Sequence, residues 1–130
     1  MISIEFNPKD YPILIVDDEK DIVSLLREEL EEYGFEVDTA LGGEEAWKLV
    51  NRKAYQIVLT DVKMPTGNGI KLLEDIKSKY GRIPFVYVMS GYCDSSEMDI
   101  LAKGGIKLFG KPVDVDEFVE NFSGLLKQVA

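Results

Sequence analysis

Short apolar runs alternate along the chain with longer segments in which apolar residues have helical spacing. The runs are rich in β-branched residues and flanked by turn-forming residues, which predicts strands. They lie at Ile13–Val16, Phe35–Thr39, Gln56–Thr60, Pro84–Met89 and Ile106–Phe109. The first, third and fourth runs are almost continuously apolar, which is typical of a parallel sheet with helices on both faces.

The intervening segments place apolar residues three or four positions apart, which predicts amphipathic helices. The first should end at Gly34, because glycine suits the position just after a helix. The last should begin at Asp114, with Glu117 three positions later completing a capping box. The predicted apolar stripes are Ile22, Leu25, Leu26, Leu30 and Tyr33; Ala46, Trp47 and Val50; Ile70, Leu73, Ile76 and Tyr80; and Phe118, Phe122, Leu125, Leu126 and Val129. A further helix, with a weak pattern, is predicted around Glu97–Lys103.

Five strands alternating with five helices predict an α/β fold, a doubly wound parallel sheet with right-handed crossovers. The pattern leaves the strand order open. With 130 residues and no repeat or linker-like stretch, the chain is expected to form one domain, with a short N-terminal extension over residues 1–10.

Charge and composition narrow the class of protein. Fifteen Lys and Arg stand against 24 Asp and Glu, a net charge of −9, which disfavours direct binding to nucleic acid or an anionic membrane. The chain has no histidine, which excludes Ser-His and Cys-His catalysis and any phosphohistidine carrier. The lone Cys93 has no disulfide partner within the chain, and the apolar runs are too short to cross a bilayer, so a cytoplasmic location is expected.

Five polar residues lie at the carboxyl ends of the predicted strands, where open α/β sheets bind ligands. They are Asp17, Asp18, Asp61, Ser90 and Lys111. Carboxylates brought together repel one another unless a cation intervenes, and an all-oxygen site with few protein ligands suits Mg²⁺. An aspartate beside Mg²⁺ can act as a nucleophile and form an aspartyl phosphate. The alternative is that the aspartates only cap the following helices, Asp18 above all.

These residues stand in motifs through which the chain resembles the receiver domain of two-component response regulators, in the manner of single-domain chemotaxis regulators. The motifs are IVDDE at 15–19, LTDVKMP at 59–65 with Gly69 following, MSGY at 89–92 and GKP at 110–112. The resemblance extends from about Tyr11 to Val129. It implies a flavodoxin-like sheet with strand order 2-1-3-4-5.

The resemblance also implies a role for each site residue. Asp61 is the expected phosphoacceptor, Ser90 the switch hydroxyl and Lys111 the cation that binds the phosphoryl group. Gly91, which has no side chain, would leave that group a path into the site.

The same resemblance implies a set of Mg²⁺ ligands. Asp18 would bind the ion directly, together with Asp61, and Asp17 largely through water. The backbone carbonyl of Lys63 is the further expected ligand.

Two positions depart from the family pattern. Ser90 stands where threonine is more common, which preserves the hydroxyl. Leu108 stands three residues before Lys111, where the family has an aromatic switch residue, and strand alternation should point the neighbouring Phe109 to the other face.

Output is expected through the face formed by the fourth predicted helix, the fifth strand and the fifth helix. Because Leu108 replaces the aromatic residue, only a partial conformational shift is expected.

Three functions are compatible with this pattern. The leading hypothesis is a signalling module that receives its phosphoryl group from a histidine kinase or phosphotransfer protein, since the chain has no histidine of its own, and then controls a downstream effector. A Mg²⁺-dependent phosphohydrolase with an aspartyl nucleophile is the second, although Val62 and Lys63 supply no acid beside Asp61. A degenerate receiver that only binds partners is the third. The sequence leaves open whether the chain stands alone or is part of a longer regulator.

Overall fold

Five strands and four helices make up the part of the chain that the computed structural model describes, residues 1–61, 69–80, 85–90 and 106–129. The strands are β1 (Ile13–Val16), β2 (Val37–Ala40), β3 (Ile57–Asp61), β4 (Phe85–Ser90) and β5 (Lys107–Gly110). The helices are α1 (Lys20–Glu32), α2 (Gly43–Val50), α3 (Gly69–Tyr80) and α4 (Val115–Val129), with a short 3-10 helix at Pro8–Asp10. The helix predicted around Glu97–Lys103 lies outside the described residues.

The strands form one parallel sheet in the order β2-β1-β3-β4-β5. This confirms the doubly wound, flavodoxin-like arrangement. The strand order reverses between β1 and β3, so the connections from these two strands leave the sheet in opposite directions. Such a switch point opens a crevice at the carboxyl edge of the sheet.

The sheet separates two apolar cores. Side chains alternate between the two faces along a strand, and in β1 Ile13 and Ile15 join the larger core while Leu14 and Val16 join the smaller one. Helices α1 and α4 cover the larger core, and α2 and α3 cover the smaller. Burial on both faces explains why β1, β3 and β4 are almost continuously apolar.

Gly34 ends α1 as predicted. Its φ of 104° lies in the left-handed region that favours glycine. The Gly34 N–H donates to the Glu31 carbonyl at 2.9 Å and the Phe35 N–H to the Leu30 carbonyl at 3.3 Å, the Schellman pattern. Phe35 therefore belongs to this turn, and β2 begins at Val37, two residues later than predicted.

The predicted helix stripes are correct in part. Ile76, Phe118 and Phe122 are buried as expected. Leu25 is 54% exposed, because each helical residue is rotated by about 100° from the next and the core-facing side of α1 is centred near its neighbour Leu26. Among the described helix residues, the prediction missed four that are buried: Val23, Leu72, Val115 and Val119.

Helix α4 begins at the cap residue that the sequence predicts, and the helices are as short as the apolar runs indicate. The Glu117 N–H donates to Asp114 Oδ1 at 3.1 Å, which confirms Asp114 as the N-terminal cap. Among the helices in the described ranges, none combines the length and apolar character needed to span a bilayer.

The N-terminal segment, residues 1–11, packs against the amino end of the sheet. Ile2, Ile4, Phe6 and Tyr11 all contact the larger core. The Phe6 ring centre lies 5.9 Å from that of Phe35 and 5.4 Å from that of Phe122 on α4. The predicted extension is thus integrated into the core rather than projecting from it.

Candidate functional site

Strand pairing brings the predicted site residues to one edge of the sheet. Val16 of β1 lies opposite Thr60 of β3, so Asp17 and Asp61, which follow them, emerge side by side. On the other side of β3, the ends of β4 and β5 are aligned in the same way, since Ser90 pairs with Gly110. The Lys111 N–H donates to the Ser90 carbonyl at 3.0 Å, which continues this pairing by one residue.

Three carboxylates converge at this edge. One oxygen each from Asp17, Asp18 and Asp61 lie within 4.8 Å of one another. Asp17 and Asp61 are buried, whereas Asp18 is exposed. Because like charges repel and buried charges are costly unless they are paired, this cluster requires a cation nearby.

In the described part of the chain, the Lys111 ammonium supplies positive charge to the cluster. Its Nζ lies 2.7 Å from Asp17 Oδ2 and 3.0 Å from Asp61 Oδ2, and its side chain is only 10% exposed. Burial alone would lower the pKa of Lys111, but contacts with the two carboxylates outweigh burial and raise that pKa above its usual value. The ammonium is therefore charged throughout the physiological pH range.

Asp17 has the most constrained carboxylate. Its Oδ1 accepts a hydrogen bond from the Glu19 N–H at 3.0 Å. Its Oδ2 is fully buried and has no hydrogen bond of good angle, so the short Lys111 contact is an ion pair. A buried carboxylate oxygen without a hydrogen bond, beside two further carboxylates, suits a hard divalent cation such as Mg²⁺.

The helix-capping alternative does not account for the aspartates. Glu19, not Asp18, is the N-terminal cap residue of α1, and no side-chain capping hydrogen bond is formed there. Asp61 is the last residue of β3. The alternative in which Asp18 caps the first helix is therefore wrong.

Ser90 and the residues near Lys111 lie as the sequence suggested. Ser90 is buried at the end of β4. Phe109 is buried in the larger core, where its ring centre lies 5.7 Å from that of Tyr87, so it does face away as expected. Leu108 is partly buried. Lys63 and Gly91 lie outside the described residues, and their roles stay predictions.

Two contacts at the site were missed by the sequence reasoning. Glu19 places Oε1 3.3 Å from the Lys111 ammonium, and its only sequence signal is that it is the third acidic residue after β1. The Thr60 hydroxyl donates to the Asp61 carbonyl at 3.1 Å. A hydroxyl within an apolar strand is the signal that marks Thr60.

The arrangement suits chemistry on an anionic group. Asp61 offers a carboxylate whose side chain is mostly buried but still 10% exposed. Lys111 and Ser90 lie at the ends of the adjoining strands, where an ammonium and a hydroxyl can offset negative charge on incoming oxygens.

Comparison with known sequences assigns a family. A family model described as the response regulator receiver domain matches residues 13–123. The response regulator SaeR of Staphylococcus aureus is 31% identical over 117 residues, which cover 90% of this chain and 51% of SaeR. The chain spans about half the length of the curated relatives it matches.

Solved structures agree with that assignment. The receiver domain of the Francisella response regulator 1452 is 30% identical, with a TM-score of 0.80 over 92% of this chain and 99% of the other. The response regulator TrrA from Thermotoga maritima, solved in complex with Mg²⁺ and BeF, is 33% identical, with a TM-score of 0.78 over 88% of this chain and 98% of the other.

Proposed function

Because the chain belongs to the family of response regulator receiver domains, we propose that it is a phosphorylation-controlled signalling module that accepts a phosphoryl group on Asp61. The observation that supports this proposal most directly is the 3.0 Å contact between Asp61 Oδ2 and the buried Lys111 ammonium. An aspartate in that position has a nucleophilic oxygen and, next to it, a fixed positive charge for the group it receives.

The phosphoryl transfer balances with the groups at this edge. An Asp61 oxygen forms a bond to phosphorus while the bond from phosphorus to the donor nitrogen breaks, and the donor leaves with that electron pair. The Lys111 ammonium and the Ser90 hydroxyl then offset charge on the phosphoryl oxygens. Since these 130 residues contain no histidine, the phosphoryl group comes from outside them, and the proposed donor is a histidine kinase or a histidine phosphotransfer protein.

The reaction is proposed to depend on Mg²⁺. Asp17, Asp18 and Asp61 would hold the ion, with the Lys63 carbonyl as the further ligand that the resemblance implies. When bound, Mg²⁺ neutralises negative charge that would otherwise oppose the approach of a phosphoryl group. The all-oxygen donor set and the buried Asp17 Oδ2 support this assignment.

Phosphorylation is proposed to control binding of a downstream effector protein or domain. The phosphoryl group shifts a conformational equilibrium only through contacts that differ between states, and Ser90 and Lys111 are the residues placed to make them. Both lie at the ends of β4 and β5, so the proposed output face comprises the helix predicted around 97–103, β5 and α4. With Leu108 at the usual aromatic position, the shift is expected to be partial.

The proposal treats residues 1–130 as one receiver unit, with residues 1–10 as an N-terminal extension. The unit catalyses only its own phosphorylation and dephosphorylation, and it acts in the cytoplasm, where a thiol such as Cys93 stays reduced.

The experiment is incubation with Mg²⁺ and acetyl phosphate, followed by mass spectrometry of the intact protein. The wild-type chain should gain one phosphoryl group that is lost in base, and Asp61→Asn should gain none, because an amide is a poor nucleophile. Asp75→Asn is the matched control, since Asp75 is paired with Lys71 on the surface of α3, and it should be labelled like the wild type. Unchanged labelling of Asp61→Asn would refute the assignment.

A further inference from the structure

The Lys111 ammonium contacts two of the carboxylates that a divalent ion would use. It lies against Asp17 Oδ2 and Asp61 Oδ2, and both residues belong to the carboxylate cluster. An ammonium and a divalent ion held at contact distance by the same carboxylates repel each other strongly. Cation binding therefore requires Lys111 to give up at least part of its contacts with Asp17 and Asp61.

Glu19 offers the ammonium an alternative acceptor. Among the described residues, three carboxylates contact Lys111, and Glu19 is the one outside the cluster of Asp17, Asp18 and Asp61. Its Oε1 is already 3.3 Å from Nζ, so Lys111 can shift toward it without first becoming unpaired. This matters because a mostly buried ammonium that loses all of its partners pays a large desolvation cost.

The backbone of Glu19 is fixed while its side chain remains adjustable. Its N–H donates to Asp17 Oδ1 at 3.0 Å, and its carbonyl accepts the Val23 N–H at 3.1 Å as α1 begins. The side chain is 59% exposed. Glu19 is thus anchored to the carboxylate cluster by its main chain and free to follow the ammonium with its carboxylate.

We propose that Glu19 is a positioning residue that receives the Lys111 ammonium when a divalent cation binds Asp17 and Asp61. The inference rests on the proposed function, because it concerns the Mg²⁺ step. Glu19→Gln removes both the alternative acceptor and one nearby negative charge, and both losses weaken Mg²⁺ binding. An exposed ion pair of this kind corresponds to roughly twofold to fivefold in the dissociation constant.

The test is a calorimetric Mg²⁺ titration of the full chain without a phosphodonor. Glu28→Gln is the matched control, because Glu28 is exposed on the same helix, about 13 Å farther along its axis and beyond the screening length of about 8 Å at physiological ionic strength. Glu19→Gln should bind Mg²⁺ about twofold to fivefold more weakly than the wild type, and Glu28→Gln should bind it as tightly as the wild type.

A double-mutant cycle with Lys111→Met separates the positioning role of Glu19 from the direct attraction of its negative charge for Mg²⁺. Without the ammonium there is nothing for Glu19 to receive, so Glu19→Gln should weaken Mg²⁺ binding by a clearly smaller factor in that background. An equal factor in both backgrounds, or equal losses in Glu19→Gln and Glu28→Gln, would overturn the positioning role. If the wild type binds Mg²⁺ and Glu19→Gln binds it equally, this inference alone fails; if the wild type binds none, the proposed Mg²⁺ step fails as well.

Discussion

The two edges of the same sheet have opposite character. At the carboxyl edge, Asp17, Asp18 and Asp61 repel one another, and two of them, Asp17 and Asp61, share the Lys111 ammonium. At the amino edge, the rings of Tyr11 and Phe85 pack edge-on against Phe122, with centres 5.1 and 5.0 Å away. The amino edge is therefore optimised for packing, whereas the carboxyl edge keeps unfavourable charge in place, which is typical of a site that binds a ligand.

The N-terminal segment is also joined to α1 and α4 by hydrogen bonds. The Ile2 N–H donates to the Tyr33 hydroxyl oxygen at 2.9 Å, and that hydroxyl donates to the Asp116 carboxylate of α4. Burial raises the pKa of Tyr33, and the Asp116 carboxylate raises it further. The N-terminal segment, α1 and α4 are thus linked by one chain of hydrogen bonds.

The largest expected effect on stability is at the amino edge. Phe122→Ala removes a fully buried ring that contacts Phe6, Tyr11 and Phe85, and should lower the free energy of unfolding by about 3–5 kcal/mol. Urea denaturation measures this loss. Leu25→Ala, at a half-exposed position, is the control and should change stability by about 0.5 kcal/mol or less. A loss below about 1 kcal/mol for Phe122→Ala would contradict the contrast between the two edges.

Phe6→Ala tests whether the N-terminal segment belongs to the stabilised edge. Phe6 is partly buried and makes three ring contacts, so the variant should lose about 1–2 kcal/mol, less than a fully buried ring. Its Mg²⁺ affinity should equal that of the wild type, because the segment lies at the opposite end of the sheet. Normal stability, or altered Mg²⁺ binding, would show that the two edges are not separable in this way.

At the carboxyl edge, Asp18→Asn should have effects opposite to those of Phe6→Ala: weaker Mg²⁺ binding without a loss of stability. Removing one of three like charges relieves repulsion, so the metal-free protein should keep its stability or gain up to about 1 kcal/mol. Mg²⁺ binding should weaken strongly, and more than in Asp17→Asn if Asp18 is the direct ligand. Paired denaturation and calorimetry measure both quantities. A large loss of stability in the metal-free variant would mean that Asp18 has a structural role.

The alternation of strands and helices was predictable because burial on one or both faces imposes a periodic pattern. The elements with a strong local signal were predicted closely, such as β1, which is apolar throughout because both of its faces are buried, and the end of α1 at Gly34, where glycine suits a positive φ. The strand order came from resemblance to a family, since periodicity contains no information on which strands pair. Leu25 was misplaced because a stripe of leucines on α1 is wider than the surface that buries it.

The site residues were predictable as a set, whereas their contacts were not. Asp17, Asp61 and Lys111 are marked by their positions after strands. The contact between Glu19 and Lys111 joins residues 92 positions apart and depends on side-chain conformations that no local pattern encodes. Likewise, nothing within residues 1–11 indicates that Phe6 meets Phe122, because that contact is set by the packing of α4.

Asp38 on β2 is a useful contrast with the aspartates of the site, because neighbouring side chains donate hydrogen bonds to its carboxylate. Its Oδ2 accepts hydrogen bonds from the Tyr55 hydroxyl at 2.6 Å and from the Lys53 ammonium at 3.0 Å. The Tyr55 hydrogen bond, followed by that from Lys53, lowers the pKa of Asp38 below its usual value. A carboxylate whose pKa is lowered by folding adds stability above its unfolded pKa, near 3.9, and that stability is lost as the pH falls through the folded value.

Tyr55→Phe should therefore have the smallest and most pH-dependent effect. Because the Asp38 side chain is 43% exposed, solvent screening keeps the loss at neutral pH below about 1 kcal/mol. The difference in unfolding free energy between wild type and variant should shrink as the pH is lowered from 5 to 2, since protonated Asp38 no longer accepts a charge-assisted hydrogen bond. Tyr87→Phe is the control, because the Tyr87 hydroxyl donates to the neutral amide oxygen of Asn121 at 3.1 Å, and its difference should stay constant over this range. A Tyr55→Phe difference that stays constant or grows in acid would show that Asp38 is not stabilised by its partners.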